Sequence, residues 1–88
     1  MLSELAAVKS LGVRIAFGAH LRTLREARGW SQQELADRAD VSKPTVYRIE
    51  TARYSATLDV LAALAQALDL QLRDLVDFPA PTILSPVR

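Results

Sequence analysis

Residues Trp30–Glu50 read WSQQELADRADVSKPTVYRIE, and this stretch predicts two short helices joined by a tight turn. Ser31 and Glu34 form a capping-box pattern, in which the serine oxygen accepts from a backbone N–H and the glutamate reaches back to the Ser31 N–H. An apolar stripe at helical spacing follows. Its residues are Leu35, Ala36 and Ala39.

A second helix begins after the break in this pattern at Asp40 and Val41. Ser42 can cap it, and Pro44 stands early enough in its first turn to be tolerated. Val46 and Ile49 form its inward face, and its outward face combines cations, a hydroxyl and an aromatic ring. Such a set suits the reading of base edges in a DNA groove. The outward residues are Lys43, Pro44, Thr45, Tyr47 and Arg48.

This segment resembles the helix-turn-helix of the phage-repressor (Xre/Cro-type) transcriptional regulators. LRTLREARGWSQQELA, residues 21–36, is similar to the first helix of that family and its entry into the second, and TLDVLAALAQAL, residues 57–68, resembles its fourth helix. The resemblance covers roughly Phe17 to Val76. It implies an all-α fold, a compact five-helix bundle of the lambda-repressor-like DNA-binding type with the motif in helices 2 and 3.

At 88 residues the chain forms one domain around a single small core. We divide it into an N-terminal extension (1–12), a DNA-binding domain (13–77) and a proline-rich tail (78–88). Apolar residues at every third position of the extension, from Leu2 to Leu11, indicate either an extra amphipathic helix or an extension of helix one. The tail, FPAPTILSPVR, has three prolines and no periodicity, which predicts an extended or disordered segment.

The remaining helices follow from spacing and from stop signals. Helix one should run from about Val13 to Arg28 and stop at Gly29, helix four should begin near the N-cap Thr57, and a last short helix should occupy Gln71–Val76. The expected core is Phe17, Leu21, Leu24, Trp30, Leu35, Val46, Ile49, Leu61, Leu64 and Leu68. Helix four should also bury Leu58 and Ala65, and the last helix Leu72, Leu75 and Val76.

Two local features remain open from the sequence. Residues 68–73 alternate apolar and polar side chains, which is typical of a strand, although the leucines there also fit a helix. Asp40 stands where the family usually has glycine, because the backbone there takes a positive φ that Asp tolerates better than most residues. Ala52 replaces another common glycine.

The resemblance implies that helix 42–51 lies in the major groove. Lys43 and Arg48 can donate to guanine O6 and N7, and Pro44 can touch a thymine methyl group. Thr45 and Tyr47 can contact a phosphate or a base edge, and Gln32 matches the family position that grips a phosphate at the start of helix two. The full candidate set is Gln32, Ser42, Lys43, Pro44, Thr45, Tyr47, Arg48, Arg53 and Tyr54.

Other polar residues have structural explanations. Arg25 and Glu50 match a family pair that ties helix one to helix three, and Ser42 also serves as a helix cap. We expect Arg22 and Arg28 to be solvated. His20 has no second ligand at metal spacing, so we expect a surface or half-buried histidine and no metal site.

Composition restricts the function further. There are no cysteines, one histidine and no glycine-rich phosphate loop, so we expect neither an enzyme nor a bound cofactor or small-molecule ligand. No apolar stretch is long enough to span a membrane, and the N-terminus lacks the features of a signal peptide, which predicts a cytoplasmic protein.

Residues 1–54 carry nine Lys and Arg against six Asp and Glu, whereas residues 55–88 carry two against four. The cations therefore gather around the motif.

The sequence predicts a sequence-specific regulator of double-stranded DNA, most simply a repressor that binds a palindromic operator as a homodimer. Four alternatives differ in biology: a free-standing repressor, an antitoxin that also binds a toxin, a restriction–modification controller, and a protein-interaction module that does not bind DNA. For the dimer interface we favour Leu70, Leu72 and Leu75, with the N-terminal segment Leu2–Leu11 as the second choice.

Overall fold

The computed structural model describes the backbone of residues 2–79 and the side chains of residues 10–79. Residue 1 and residues 80–88, which carry most of the predicted tail, lie outside that range. The five helices are α1 (Leu2–Ala27), α2 (Gln32–Ala39), α3 (Lys43–Glu50), α4 (Leu58–Ala67) and α5 (Leu72–Leu75). Residues 2–79 contain no strand, which confirms the all-α prediction. The N-terminal segment is an extension of helix one, because α1 is continuous.

Three helices begin with the caps that the sequence predicts. The Ser31 Oγ accepts from the Glu34 N–H (3.0 Å), the Ser42 Oγ from the Thr45 N–H (3.2 Å), and the Thr57 Oγ1 from the Val60 N–H (3.1 Å). The second half of the predicted capping box is wrong. The Glu34 carboxylate turns forward and accepts from Arg38 Nη2 at 3.3 Å, because an ion pair one turn along the helix competes for it.

The first four helices all end in the same way, with one residue in the left-handed conformation. These residues are Gly29 (φ 70°), Asp40 (φ 56°), Ala52 (φ 62°) and Asp69 (φ 58°). At each end two backbone N–H groups turn back onto the last carbonyls; in α2 the Asp40 N–H bonds the Asp37 oxygen and the Val41 N–H bonds the Ala36 oxygen. This is the Schellman arrangement, for which glycine is preferred. The positive φ expected at Asp40 is confirmed.

The segment 68–73 is not a strand: residues 68–71 connect α4 to α5, and residues 72 and 73 begin α5. The Leu70 N–H bonds the Ala65 oxygen at 2.8 Å and Asp69 takes a positive φ, so α4 closes and the chain turns before α5 begins. The period-two pattern arises because a helix end, a turn and a helix start happen to place leucines at alternate positions. Leu75 is completely buried, so it cannot form a dimer surface as we expected from the sequence.

One core is formed by α1–α5 together. Its buried apolar residues are Phe17, Leu21, Leu35, Ala36, Ala39, Val46, Ile49, Leu64, Ala65, Leu68 and Leu75. Leu24, Trp30 and Leu61 pack against it while partly exposed. Two predictions of burial are wrong: Leu58 is 68% exposed because it is the first residue of α4, and Val76 is 41% exposed because it follows the end of α5. Phe78 packs its ring 5.8 Å from that of Phe17.

Gly18 marks the place where α1 crosses α3. A Cβ atom at this position would overlap the carbonyl oxygen of Ile49 and lie 3.0 Å from that of Glu50. Backbone atoms cannot rotate away as a flexible side chain can, so the glycine permits the close approach of the two helices. The contact sets the position of the C-terminal half of α3, and hence the direction of its outward face.

Candidate nucleic-acid interface

Helix α3 is anchored in the core on one side, and its other side faces outward. Val46 is completely buried and Ile49 is 1% exposed, whereas Lys43, Pro44, Tyr47 and Arg48 on the other side are all exposed. Because residues three and four apart share one side of a helix, burying Val46 and Ile49 turns the polar set outward. The sequence assigned these two faces correctly.

Two hydroxyl groups lie at the amino end of α3. The Ser42 and Thr45 oxygens are 2.7 Å apart, and the Ser42 oxygen also accepts from the Thr45 N–H. Either hydroxyl can be the donor in the bond between them, so only one of the two protons is used. The other proton can be donated to an outside acceptor, and the ordinary capping role of Ser42 therefore does not exclude a contact with phosphate.

Gln32, Lys43, Pro44 and Tyr47 line one shallow depression of about 410 Å³ between the amino ends of α2 and α3. The structure thus brings together residues that are 11 to 15 positions apart in the sequence. The Gln32 Nε2 donates to Glu50 Oε1 at 3.1 Å, which fixes the orientation of the amide. An amide nitrogen carries two protons, so one remains available for a ligand in the depression.

A buried ion pair between Arg25 and Glu50 adjoins this depression, because Glu50 also bonds Gln32. The Arg25 Nε lies 2.7 Å from Glu50 Oε2, its Nη2 lies 2.9 Å from Glu50 Oε1, and its Nη1 donates to the Trp30 carbonyl oxygen at 2.7 Å. The two side chains are only 10% and 3% exposed. Hydrogen bonding to Glu50 raises the pKa of Arg25 above its ordinary value, so the guanidinium stays charged. The structural role expected for this pair is confirmed by its geometry.

The cations of the motif differ in how they are engaged. Lys43, Arg48 and Arg53 are exposed and form no ion pair with any other residue in the range 10–79. Arg38, by contrast, pairs with Glu34 and stacks its guanidinium 4.2 Å from the Trp30 ring centroid. The three unpaired cations are the ones best able to meet phosphates or bases.

Arg53 and Tyr54 follow α3 and differ in their exposure. Arg53 is exposed, as a contact with the DNA backbone would require. Tyr54 is half-buried and packs its ring against the core, where it lines a separate groove with Phe17, Leu61 and others. The structure therefore does not bring the Tyr54 ring together with the depression beside α3.

Sequence reasoning missed two residues that support the site. Gly18 sets the distance between α1 and α3, and a glycine inside a predicted helix was the available signal. Arg28 is half-buried, and its Nη2 donates to the Leu68 carbonyl oxygen at 2.8 Å at the end of α4. The expectation that Arg28 is solvated is wrong, because this orphan carbonyl provides a partner that spacing cannot reveal.

Neither a metal-binding cluster nor a membrane-spanning helix is present among the described residues. No group of three or more His, Asp or Glu side chains in the described part of the chain is placed to hold a metal ion. No helix in that part is both long and apolar enough to cross a membrane.

Comparison with known proteins connects this geometry to DNA-binding regulators. A family model described as a helix-turn-helix domain matches residues 16–78. Control protein C.BamHI from Bacillus amyloliquefaciens is 31% identical over 67 residues, which cover 75% of this chain and 83% of that protein. The restriction–modification controller protein C.AhdI from Aeromonas hydrophila is 35% identical with a TM-score of 0.69, covering 70% of this chain and 94% of its own. The hypothetical transcription factor NHTF from Neisseria gives a TM-score of 0.71 at 28% identity, with coverage of 76% and 77%.

Proposed function

The chain belongs to the helix-turn-helix domain family, and we propose that this DNA-binding regulator reads a specific duplex sequence with α3 in the major groove. In this arrangement Lys43 and Arg48 read base edges, and Pro44, Thr45 and Tyr47 complete the contact. Gln32 and the Ser42 hydroxyl grip phosphates on one side. On the other side of α3, Arg53 and Tyr54 follow the DNA backbone. Arg53 is exposed, as such a contact requires.

The observation that carries this proposal is that Lys43 and Arg48 are exposed on α3 and form no ion pair within residues 10–79, while the helix itself is anchored in the core. Val46 and Ile49 anchor α3 in the core, and the Arg25–Glu50 pair joins it to α1. The helix is therefore preorganised, so little conformational entropy is lost when it binds.

Selection from a random duplex pool tests the proposal directly. The protein should enrich one sequence, and binding should weaken steeply as salt rises, because each neutralised phosphate releases counterions. Arg48→Ala should reduce the affinity for the selected duplex by a factor of about ten to a hundred and relax the preference at one base pair. Arg73→Ala removes an exposed arginine of α5, outside the candidate set, and serves as the matched control.

Gln32→Ala separates phosphate gripping from base reading. Phosphate contacts carry no direct sequence information, so this variant should weaken the selected and unrelated duplexes by the same factor. If Arg48→Ala leaves both affinity and base preference unchanged, the assigned reading face is wrong. If no duplex is enriched at all, the fold serves as a protein-interaction module and the DNA proposal fails.

A homodimer is part of the proposal. One recognition helix reads only a few base pairs, whereas two related by a two-fold axis read half-sites about 34–36 Å apart. The expected signature is a palindromic selected sequence with two protected half-sites in a footprint. A single asymmetric half-site would contradict it.

Among the biological alternatives, a restriction–modification controller has a specific observation in its favour. Two relatives with 31% and 35% identity are a control protein and a restriction–modification controller. The test is a reporter driven by the promoter region next to the gene, assayed with the wild-type protein and with Arg48→Ala. A neighbouring toxin gene without restriction genes would favour the antitoxin alternative. Regulation of a promoter would place the protein in the cytoplasm.

A further inference from the structure

A groove separate from the reading face of α3 lies beside the loop that follows that helix. Its volume is about 380 Å³, and most of its lining residues are apolar, among them Val13, Phe17, Leu61 and Val76. This size and lining are typical of small-molecule sites in proteins. The lining residues come from α1, the loop, α4 and the segment after α5, so no spacing along the sequence indicated such a site.

The groove continues into a smaller polar depression of about 260 Å³. The two spaces share Val13, Arg14 and Ser55, and the depression is lined in addition by Ser10. Among the described residues, Arg14 is the single charged residue that lines either space. Its Nε donates to the Ser10 carbonyl oxygen at 3.3 Å, and it forms no ion pair with any residue in the range 10–79. The Nη groups of Arg14 can therefore donate to an anion.

We infer that the groove binds a small amphiphilic acid, whose apolar body packs against Phe17 and Leu61 and whose carboxylate meets Arg14. The charge selects an acid, because no acidic residue in the described part of the chain lines either space to neutralise the guanidinium. Asp77 follows Val76 directly, but it is exposed and lines neither the groove nor the depression.

Two other occupants fit this site less well. The chain leaves the groove at Phe78, because Pro79 lines a different depression together with His20 and Thr23. The C-terminal residues 80–88 therefore continue from that depression and not from the groove. A second copy in a two-fold contact would present the same surface, which offers no described acidic residue to Arg14.

An acid in the groove should weaken DNA binding. Tyr54 directly follows Arg53, and the proposed function places both at the DNA backbone, whereas the Tyr54 ring lines the groove in this structure. An acid that packs against the ring holds it there, so its contact with DNA is lost. By linkage, DNA lowers the affinity for the acid by the same factor. This second step rests on the proposed function, and the binding site itself does not.

Calorimetric titration of the full chain without DNA tests the site. Octanoate is the probe, octylammonium is the same body with the opposite charge, and acetate is the acid without an apolar body. Octanoate should saturate one site per chain with a Kd of about 1 mM or below. Octylammonium should bind about tenfold more weakly, and acetate should not bind. Equal binding of octylammonium would overturn the choice of an acid, and no saturable binding of octanoate would overturn the site.

Charged substitutions in the lining assign the binding to the groove. Val13→Asp and Val76→Asp should each abolish saturable binding, because they place a carboxylate beside the apolar body, and both residues are exposed enough (40% and 41%) for the fold to tolerate the change. Ile15→Asp is the matched control, because Ile15 is 55% exposed and lines neither space. Circular dichroism verifies that each variant is folded. Normal binding by both valine variants, or an equal loss in Ile15→Asp, would overturn the assignment.

Arg14→Gln tests the polar end while leaving the apolar body of the site intact. It should weaken octanoate binding about fivefold and leave octylammonium binding no weaker, because only the acid meets the guanidinium. Arg22→Gln, at an exposed arginine farther along α1, should bind octanoate as the wild type does. Equal octanoate binding by Arg14→Gln and the wild type would overturn the role of Arg14.

Fluorescence anisotropy of a labelled selected duplex measures the coupling. Saturating octanoate should weaken DNA binding by the wild type about fivefold or more, with acetate at the same concentration as the control for ionic strength. Val13→Asp should bind the duplex without responding to octanoate. No response in the wild type, or an equal response in Val13→Asp, would overturn the coupling. If no duplex binds at all, calorimetry still decides the site, so the two proposals fail separately.

Discussion

Removing Glu50 should be one of the most damaging single substitutions in this protein. Its carboxylate accepts three hydrogen bonds, two from Arg25 and one from Gln32, and its side chain is 3% exposed. In Glu50→Ala the guanidinium would remain buried with only the Trp30 carbonyl oxygen as a partner. Breaking a buried ion pair by removing one partner typically lowers the free energy of unfolding by about 3–5 kcal/mol. That is a large part of the roughly 5–15 kcal/mol available to a small domain.

The assay is urea denaturation followed by circular dichroism, at one protein concentration because dimerisation adds to apparent stability. The exposed Arg22–Glu26 pair is the control: Glu26→Ala should cost no more than about 0.5 kcal/mol. If Glu50→Ala unfolds, Glu50→Gln retains the shape and should still cost more than the control. Replacing both partners, as in Arg25→Met with Glu50→Leu, should recover much of the loss. A Glu50→Ala cost equal to that of Glu26→Ala would refute the argument.

Three further predictions concern stability and use the same denaturation assay. Leu35→Ala should cost about 2–5 kcal/mol, because the side chain is completely buried, and a cost below about 1 kcal/mol would contradict the burial. Gly18→Ala should lower stability by about 1–3 kcal/mol, because the added methyl group meets the α3 backbone; a gain of about 1 kcal/mol, as helix propensity alone predicts, would contradict the crossing. Ala52→Gly should raise stability by about 1 kcal/mol, because alanine is strained at φ 62°, and Asp40→Gly at φ 56° should raise it by less; the reverse order would contradict this account of strain.

Much of the recognition helix could be predicted from local sequence. A serine before α2 and another before α3, a proline in the first turn of α3, and apolar residues at positions 46 and 49 together define where the motif helices begin and which side of α3 faces the core. These features act within one or two turns, so they are visible without knowledge of the rest of the chain. The DNA contacts assigned to this face remain a prediction.

Two errors in the prediction arise because a pattern gives a position but not a partner. Leu58 was placed inward because its spacing matches Leu61, but an apolar residue at the first position of a helix is buried only if a neighbouring element reaches it. The Glu34 carboxylate was assigned to Ser31, but Arg38 competes for it. The burial of Leu58 depends on a neighbouring element, whereas the partner of Glu34 depends on a competition between two residues of its own segment, Ser31 and Arg38.

The sequence by itself determined most of the elements: the first four helices, the side-chain caps of α2, α3 and α4, the turn of the motif and the polar face of α3. Local hydrogen bonds and periodic burial specify these, because each involves residues only three or four positions apart. Only the tertiary structure decided how the elements serve the site. The crossing at Gly18, the Arg25–Glu50 pair and the Gln32 amide held beside Lys43 all depend on which helices pack together. Such contacts join residues up to 32 positions apart, and packing of whole faces, not spacing along one helix, selects them.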